Sequence, residues 1–144
     1  MSFIYNLAKN QIIQAELDLS SETFQVMLVD SDYSASESDT YLDTGGASDP
    51  VDAELSGTGY ERKTLSTFSF TQDDTNNRID IDADDVTWSR LTAGTAVGAI
   101  IFLEGPTDDT DALMIAYIDD GFPFTTEGSN FTLQWNSNGV FRLS

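Results

Sequence analysis

The stretch of this chain with most obvious chemical potential is RIDIDADDVTW, Arg78 to Trp88, in which Asp80, Asp82, Asp84 and Asp85 fall within six residues. Carboxylates this close can grip a hard cation, share acid–base work, or face water. A calcium loop needs oxygen ligands at its odd positions, a glycine at the sixth and a bidentate glutamate at the twelfth. Counting from Asp80, those last two places hold Asp85 and Leu91; counting from Asp30, they hold Ala35 and Tyr41. Both matches fail where the turn and the bidentate ligand belong. Glycoside hydrolysis needs two acids turned into one cleft. Strand alternation instead puts Ile79, Ile81 and Ala83 on one face and Asp80, Asp82 and Asp84 on the other. The acids therefore read as the outer face of a half-buried strand. Val86 and Trp88 regain the apolar side through a register shift at Asp84-Asp85, which implies a bulge or tight turn.

The elements that carry this stretch follow from periodicity. Ser2 can cap an N-terminal helix in which Ile4, Leu7, Ala8, Ile12 and Ala15 recur at helical spacing, giving a helix or arm over 1–17. From residue 23 the period drops to two, and strands are predicted at 23–30, 64–70, 78–83, 85–89, 95–104, 112–119, 130–136 and 140–143. The run 95–104 is apolar on both faces and reads as a central strand. Asn136 to Gly139 is a hairpin turn candidate. Many short strands separated by turns predict an all-β antiparallel β-sandwich or barrel with a short N-terminal helix, in a single domain over 1–144. Residues 31–59 form a polar loop long enough to need something holding it, and neighbouring subunits are one candidate.

Composition removes several functions. With 25 acidic against 6 basic residues the net charge is −19, which repels nucleic acid and anionic membrane surfaces alike. Without cysteine or histidine, disulfides, thiol chemistry, Ser–His catalysis and ordinary zinc sites lose their parts. No signal peptide is legible in the first residues, and the longest apolar run, Ala96 to Leu103, is too short to span a bilayer. The expectation is a soluble, non-enzymatic chain with no cofactor, partnered with neither nucleic acid nor membrane. Asn130 to Thr132 fits a glycosylation acceptor but lies in a predicted strand.

The segments SGTGYERKTL (56–65), DADDVTWS (82–89), LMIAYIDDG (113–121) and NFTLQWNSNGVFRL (130–143), with the opening IYNLAKNQIIQAELDLSSETFQVMLVDSDY, resemble a family of small virion structural proteins of tailed bacteriophages. The resemblance spans most of the chain in order, and it departs at Glu61-Arg62-Lys63, where small residues are usual. It implies a head decoration or capsid cement protein, made in the host cytoplasm and placed on the capsid exterior of the virion. Its partners would be the major capsid protein and copies of itself, plausibly as a homotrimer at local threefold positions. Contacts are then expected from exposed apolar or isolated basic residues amid the acid: Phe3, Tyr5, Tyr33, Tyr41, Arg62, Lys63, and the GFPF tip with Phe122, Pro123 and Phe124. Two alternatives stay open, a tail or fibre adaptor or receptor-binding module, and a calcium- or carbohydrate-binding β-sandwich module using Trp88 or Trp135.

Overall fold

The computed structural model describes residues 2–136 and 139–143, with Leu143 described by its backbone alone. Among these residues, twelve short strands and one α-helix run in the order β1 (Phe3–Ile4), α1 (Asn6–Ile13), β2 (Phe24–Val29), β3 (Lys63–Thr64), β4 (Ser69–Asp73), β5 (Arg78–Asp82), β6 (Val86–Trp88), β7 (Thr95–Ala96), β8 (Gly98–Leu103), β9 (Met114–Ile118), β10 (Phe124–Thr125), β11 (Phe131–Leu133) and β12 (Phe141–Leu143). The fold is all-β, and each strand pair is antiparallel. A five-stranded sheet has the order β1-β9-β8-β2-β3, a three-stranded sheet the order β12-β5-β4, and β11-β6 and β10-β7 form two ribbons.

The central sheet is covered on both faces. Alternate residues of β2 and β8 divide cleanly: Phe24, Val26, Leu28, Ala99 and Ile101 pack with Ile81, Val86, Trp88 and Phe141 from the smaller sheets. Met27, Val29, Ile100 and Phe102 pack on the opposite side with Tyr5, Tyr33, Leu42 and Ala53. That second cover is the long polar loop. It carries a 3-10 turn at Pro50–Ala53 and closes on the core through Leu42 and Ala53, both essentially buried. This chain's own apolar anchors thus hold the loop. Fully apolar β8 needs no polar face because water reaches neither side.

Four sequence expectations need correction. Helix α1 starts only at Asn6, because Phe3 and Ile4 pair with Tyr117 and Ala116 of β9. Ser2 caps nothing; its hydroxyl donates to Asp119 at 3.1 Å. Ala15 lies beyond the helix with a φ of 59°. The strand expected over 64–70 is two strands, since Thr67 turns the chain at a φ of 58° and sends the halves to different sheets. The run 95–104 divides likewise at Val97, whose N–H donates to Val29 O at 2.8 Å. Finally, Gly139 N–H bonds Asn136 O at 2.8 Å, but the flanking strands diverge to β6 and β5 instead of pairing with each other. The tip of that turn, residues 137 and 138, lies outside the described residues.

Candidate interaction surface

The aspartates of RIDIDADDVTW do not act together. Asp82 faces solvent and accepts from the N–H of Ala83 at 3.0 Å. Asp80, expected on the outer face, is half-buried: Arg78 Nε lies 3.0 Å from its Oδ1 and 3.2 Å from Asp73 Oδ2. Asp84 accepts from the hydroxyls of Ser66 and Thr67 at 3.2 and 2.7 Å. Asp85 accepts from Trp135 N–H at 3.0 Å, and the Trp135 indole N–H reaches Asp84 O at 2.9 Å. Strand β5 ends at Asp82 and β6 begins at Val86 in a different sheet. The two aspartates between them fasten neighbouring segments across that break. Ile79, expected on the apolar side, is 42% exposed.

Most residues expected to make contacts hold the fold together instead. Tyr5 and Tyr33 are buried, with their hydroxyls 2.9 Å apart, and Tyr33 donates to Asp39 Oδ2 at 2.8 Å. Burial pushes both phenols well above the ordinary tyrosine range. Half-buried Phe3 meets the Tyr5 ring edge-on at 5.2 Å. Tyr41 is half-buried and forms an isolated bridge with Leu113.

Arg62 is committed on both sides of its guanidinium. Nη1 and Nη2 donate to the Asp109 carboxylate at 2.6 and 2.8 Å, while Nη2 and Nε donate to Glu54 at 2.7 and 2.9 Å. The guanidinium carbon also lies 5.2 Å from the Phe102 ring centroid. Lys63 pairs with Glu61 at 2.6 Å. At the GFPF tip, Phe124 stacks on Phe131 at 4.3 Å, Phe122 meets Phe131 edge-on at 6.2 Å, and Phe131 stacks on Trp88 at 5.8 Å. Only Pro123 of the nine candidates is fully exposed. Trp88 has no exposed face for a sugar to stack on; its indole N–H donates to Glu61 O at 2.7 Å.

The surface that could bind a partner lies elsewhere. Among the described residues the exposed large hydrophobics are Ile13 (84%), Phe70 (43%) and Ile79 (42%). Ile12 and Ile13 of α1, Phe3 and Ile4, and Gln72, Asp74 and Ile79 of the β4–β5 hairpin line one open groove. Lys9, Arg78 and Arg142 also line it, which gathers half of the chain's six basic residues around one apolar groove. Arg142 has no ion-pair partner among the described residues, whereas Lys9 is 3.0 Å from Glu37 and Arg78 is held by Asp73 and Asp80. Sequence periodicity contained one clue: with Ile4, Ala8 and Ile12 assigned to the core, adjacent Ile13 must point elsewhere. Nothing local marked Ile79, whose exposure depends on where the hairpin leaves the body.

Among the described residues, no group of three or more acidic side chains converges where it could hold a metal ion. No family model, curated protein or solved structure matches this chain.

Proposed function

We propose that this chain is a non-catalytic structural protein of a tailed-phage particle, a head decoration or cement protein that adheres to the outer capsid surface and stabilises it. The reading rests on the resemblance of its strand and turn segments to small virion proteins and on the physics of its surface. The observation that carries it is the α1–hairpin groove. Exposed Ile13 and Ile79 gather there with Lys9, Arg78 and Arg142 on a chain of net charge −19, and of these cations Arg142 has no ion-pair partner among the described residues. In this reading the groove lies against the shell and the acidic remainder faces solvent, away from packaged DNA. Binding to the assembled shell in preference to its separated subunits then raises the shell's stability by mass action.

The test is to add purified protein to undecorated heads and follow both co-sedimentation and the melting temperature of the heads. Saturable binding with a raised melting temperature is expected. Ile13→Glu and Arg142→Glu, both on exposed side chains, should each weaken binding while leaving the monomer's own unfolding unchanged. Absence of binding at saturating concentration overturns the proposal.

A further inference from the structure

The outer edge of the three-stranded sheet is unprotected. Strand β4 pairs with β5 in unbroken one-to-one register from Ser69↔Asp82 to Asp73↔Arg78, and among the described residues no strand lies on its other side. Along Ser69–Gln72 the chain is exposed and, among the described residues, makes no backbone hydrogen bond other than those to β5. Alternate N–H and C=O groups therefore point outward with only water as partner. Proteins blunt such edges with charge, proline, a bulge or a covering element. Here there is no proline and no bulge, and the strand's one charge is Asp73 at its end; from Thr64 through Gln72 this otherwise acid-rich chain has no charged residue.

We propose that β4 is a self-association edge, on which a second copy of this chain adds its own β4 antiparallel across a two-fold axis. The charge pattern selects a second copy. Two chains of net charge −19 repel over most of their surfaces, and the β4 edge offers each a neutral line of approach. A two-fold centred on Thr71 sets Phe70 opposite the second copy's Gln72 and Ser69 opposite its Asp73. No like charges then face one another, and each Asp73 stays compensated by Arg78 at 3.2 Å. The two Phe70 rings lie diagonally on one face, close enough to interact. Ile79 of each copy, cross-strand from Gln72, extends that apolar stripe. Pairing joins two three-stranded sheets into one and covers Phe70, while Ile79, one strand further in, stays with the α1–hairpin groove.

This contact does not depend on the decoration reading and is tested without heads. Sedimentation velocity over a concentration series should show a monomer–dimer equilibrium that strengthens as salt screens the net repulsion. The register is read by a pair of substitutions at one exposed position. Ser69→Lys, placed opposite Asp73, tightens the dimer, and Ser69→Glu weakens it about tenfold, because the two-fold axis makes the repulsion with Asp73 twice. Phe70→Lys weakens it as well, whereas Ile13→Lys on α1 leaves it unchanged. Circular dichroism and thermal unfolding of each variant confirm that the monomer is intact. A wild-type chain that stays monomeric overturns the proposal. So does association that weakens with salt, or an oligomer that responds equally to Ser69→Lys and Ser69→Glu. A monomeric chain that still decorates heads would refute the edge contact and leave the shell-binding proposal standing.

Discussion

Arg62 links three elements through side-chain chemistry alone. Its two carboxylate partners, Glu54 and Asp109, come from the end of the long loop and from the turn before β9, and Tyr60 donates to the same Glu54 at 2.8 Å. Replacing Arg62 with Met removes the guanidinium from Phe102 and leaves two partly buried acids without their shared cation. The expected loss is about 2–3 kcal/mol, toward the lower end because the side chain is partly exposed, read as a lower urea midpoint. Arg62→Lys should recover little, since an ammonium cannot face two carboxylates in bidentate fashion. Titration adds two tests at this scale. Tyr5, Tyr33, Tyr60 and Tyr117 are all held above the ordinary value of 10.0, with burial the leading cause. A raised folded-state pKa gives stability that is complete below the unfolded value and is lost as pH climbs beyond it. Ionisation of these four tyrosines, followed by phenolate absorbance, should therefore accompany unfolding above about pH 10 and not precede it. Asp49 runs the other way. The Thr44 hydroxyl, followed by the Thr44 and Gly46 amides, holds its carboxyl below the ordinary 3.8. Its contribution is present above that value and disappears as pH falls through the lower folded one. The protection of the Thr44 and Gly46 amides, taken relative to intrinsic exchange at each pH, should fall as pH drops through the lowered Asp49 pKa, and Asp49→Asn should remove that pH dependence.

At the scale of elements, the SGTGY turn is fixed by backbone proximity rather than by side chains. Gly59 has a φ of 77°, and any Cβ added there would run into the carbonyl oxygens of Ser89 and Arg90. Gly59→Ala combines a left-handed conformation with a backbone collision, and should cost about 2–4 kcal/mol, measurable as a lowered melting temperature. Trp88 is the heart of the core beneath that turn, fully buried and hydrogen-bonded to Glu61 O. Trp88→Ala should cost about 3–5 kcal/mol. The period-two runs identified β2, β5, β6 and β9 because each stays with one set of neighbours along its length. They failed at 64–70 and 95–104, where one uninterrupted β-forming run divides between two sheets, a decision made by long-range pairing. They failed again at Phe3–Ile4, whose apolar spacing continues that of α1. Which contact candidates were internal was hidden for a similar reason. An aromatic or an arginine amid acid looks the same in sequence whether it covers the second face of a sheet, as Tyr33 does, or projects from it.

For the whole molecule, charge and architecture give one consistent account. The acids that looked like a ligand cluster are dispersed among ion pairs, turn fastenings and solvent. The uncompensated negative charge keeps copies apart except at neutral or basic patches. The long polar loop takes the place of a second sheet by burying Tyr33, Leu42 and Ala53 against β2, β8 and β9. That arrangement explains how so polar a segment can be ordered without a partner: a few apolar anchors and many short local hydrogen bonds, such as Asp39 to Ser36 N–H at 3.0 Å, replace a continuous ladder. A cavity-forming Leu42→Ala should cost about 2–4 kcal/mol and loosen this side preferentially, seen as faster amide exchange across 42–55 with β4 and β5 unaffected.

The order of strands in the central sheet also constrains how the chain comes into being. β2 and β8 are neighbours although some seventy residues separate them, and β9 must lie between β8 and β1. During synthesis, then, the apolar Phe24–Val29 segment leaves the ribosome long before either strand that will shield it, and the sheet cannot close until Met114–Ile118 emerges. Such non-local pairing folds slowly and leaves sticky intermediates exposed. Nascent chains halted short of Ile118 should be captured by chaperones or aggregate, while full-length chains released from the same ribosomes should fold.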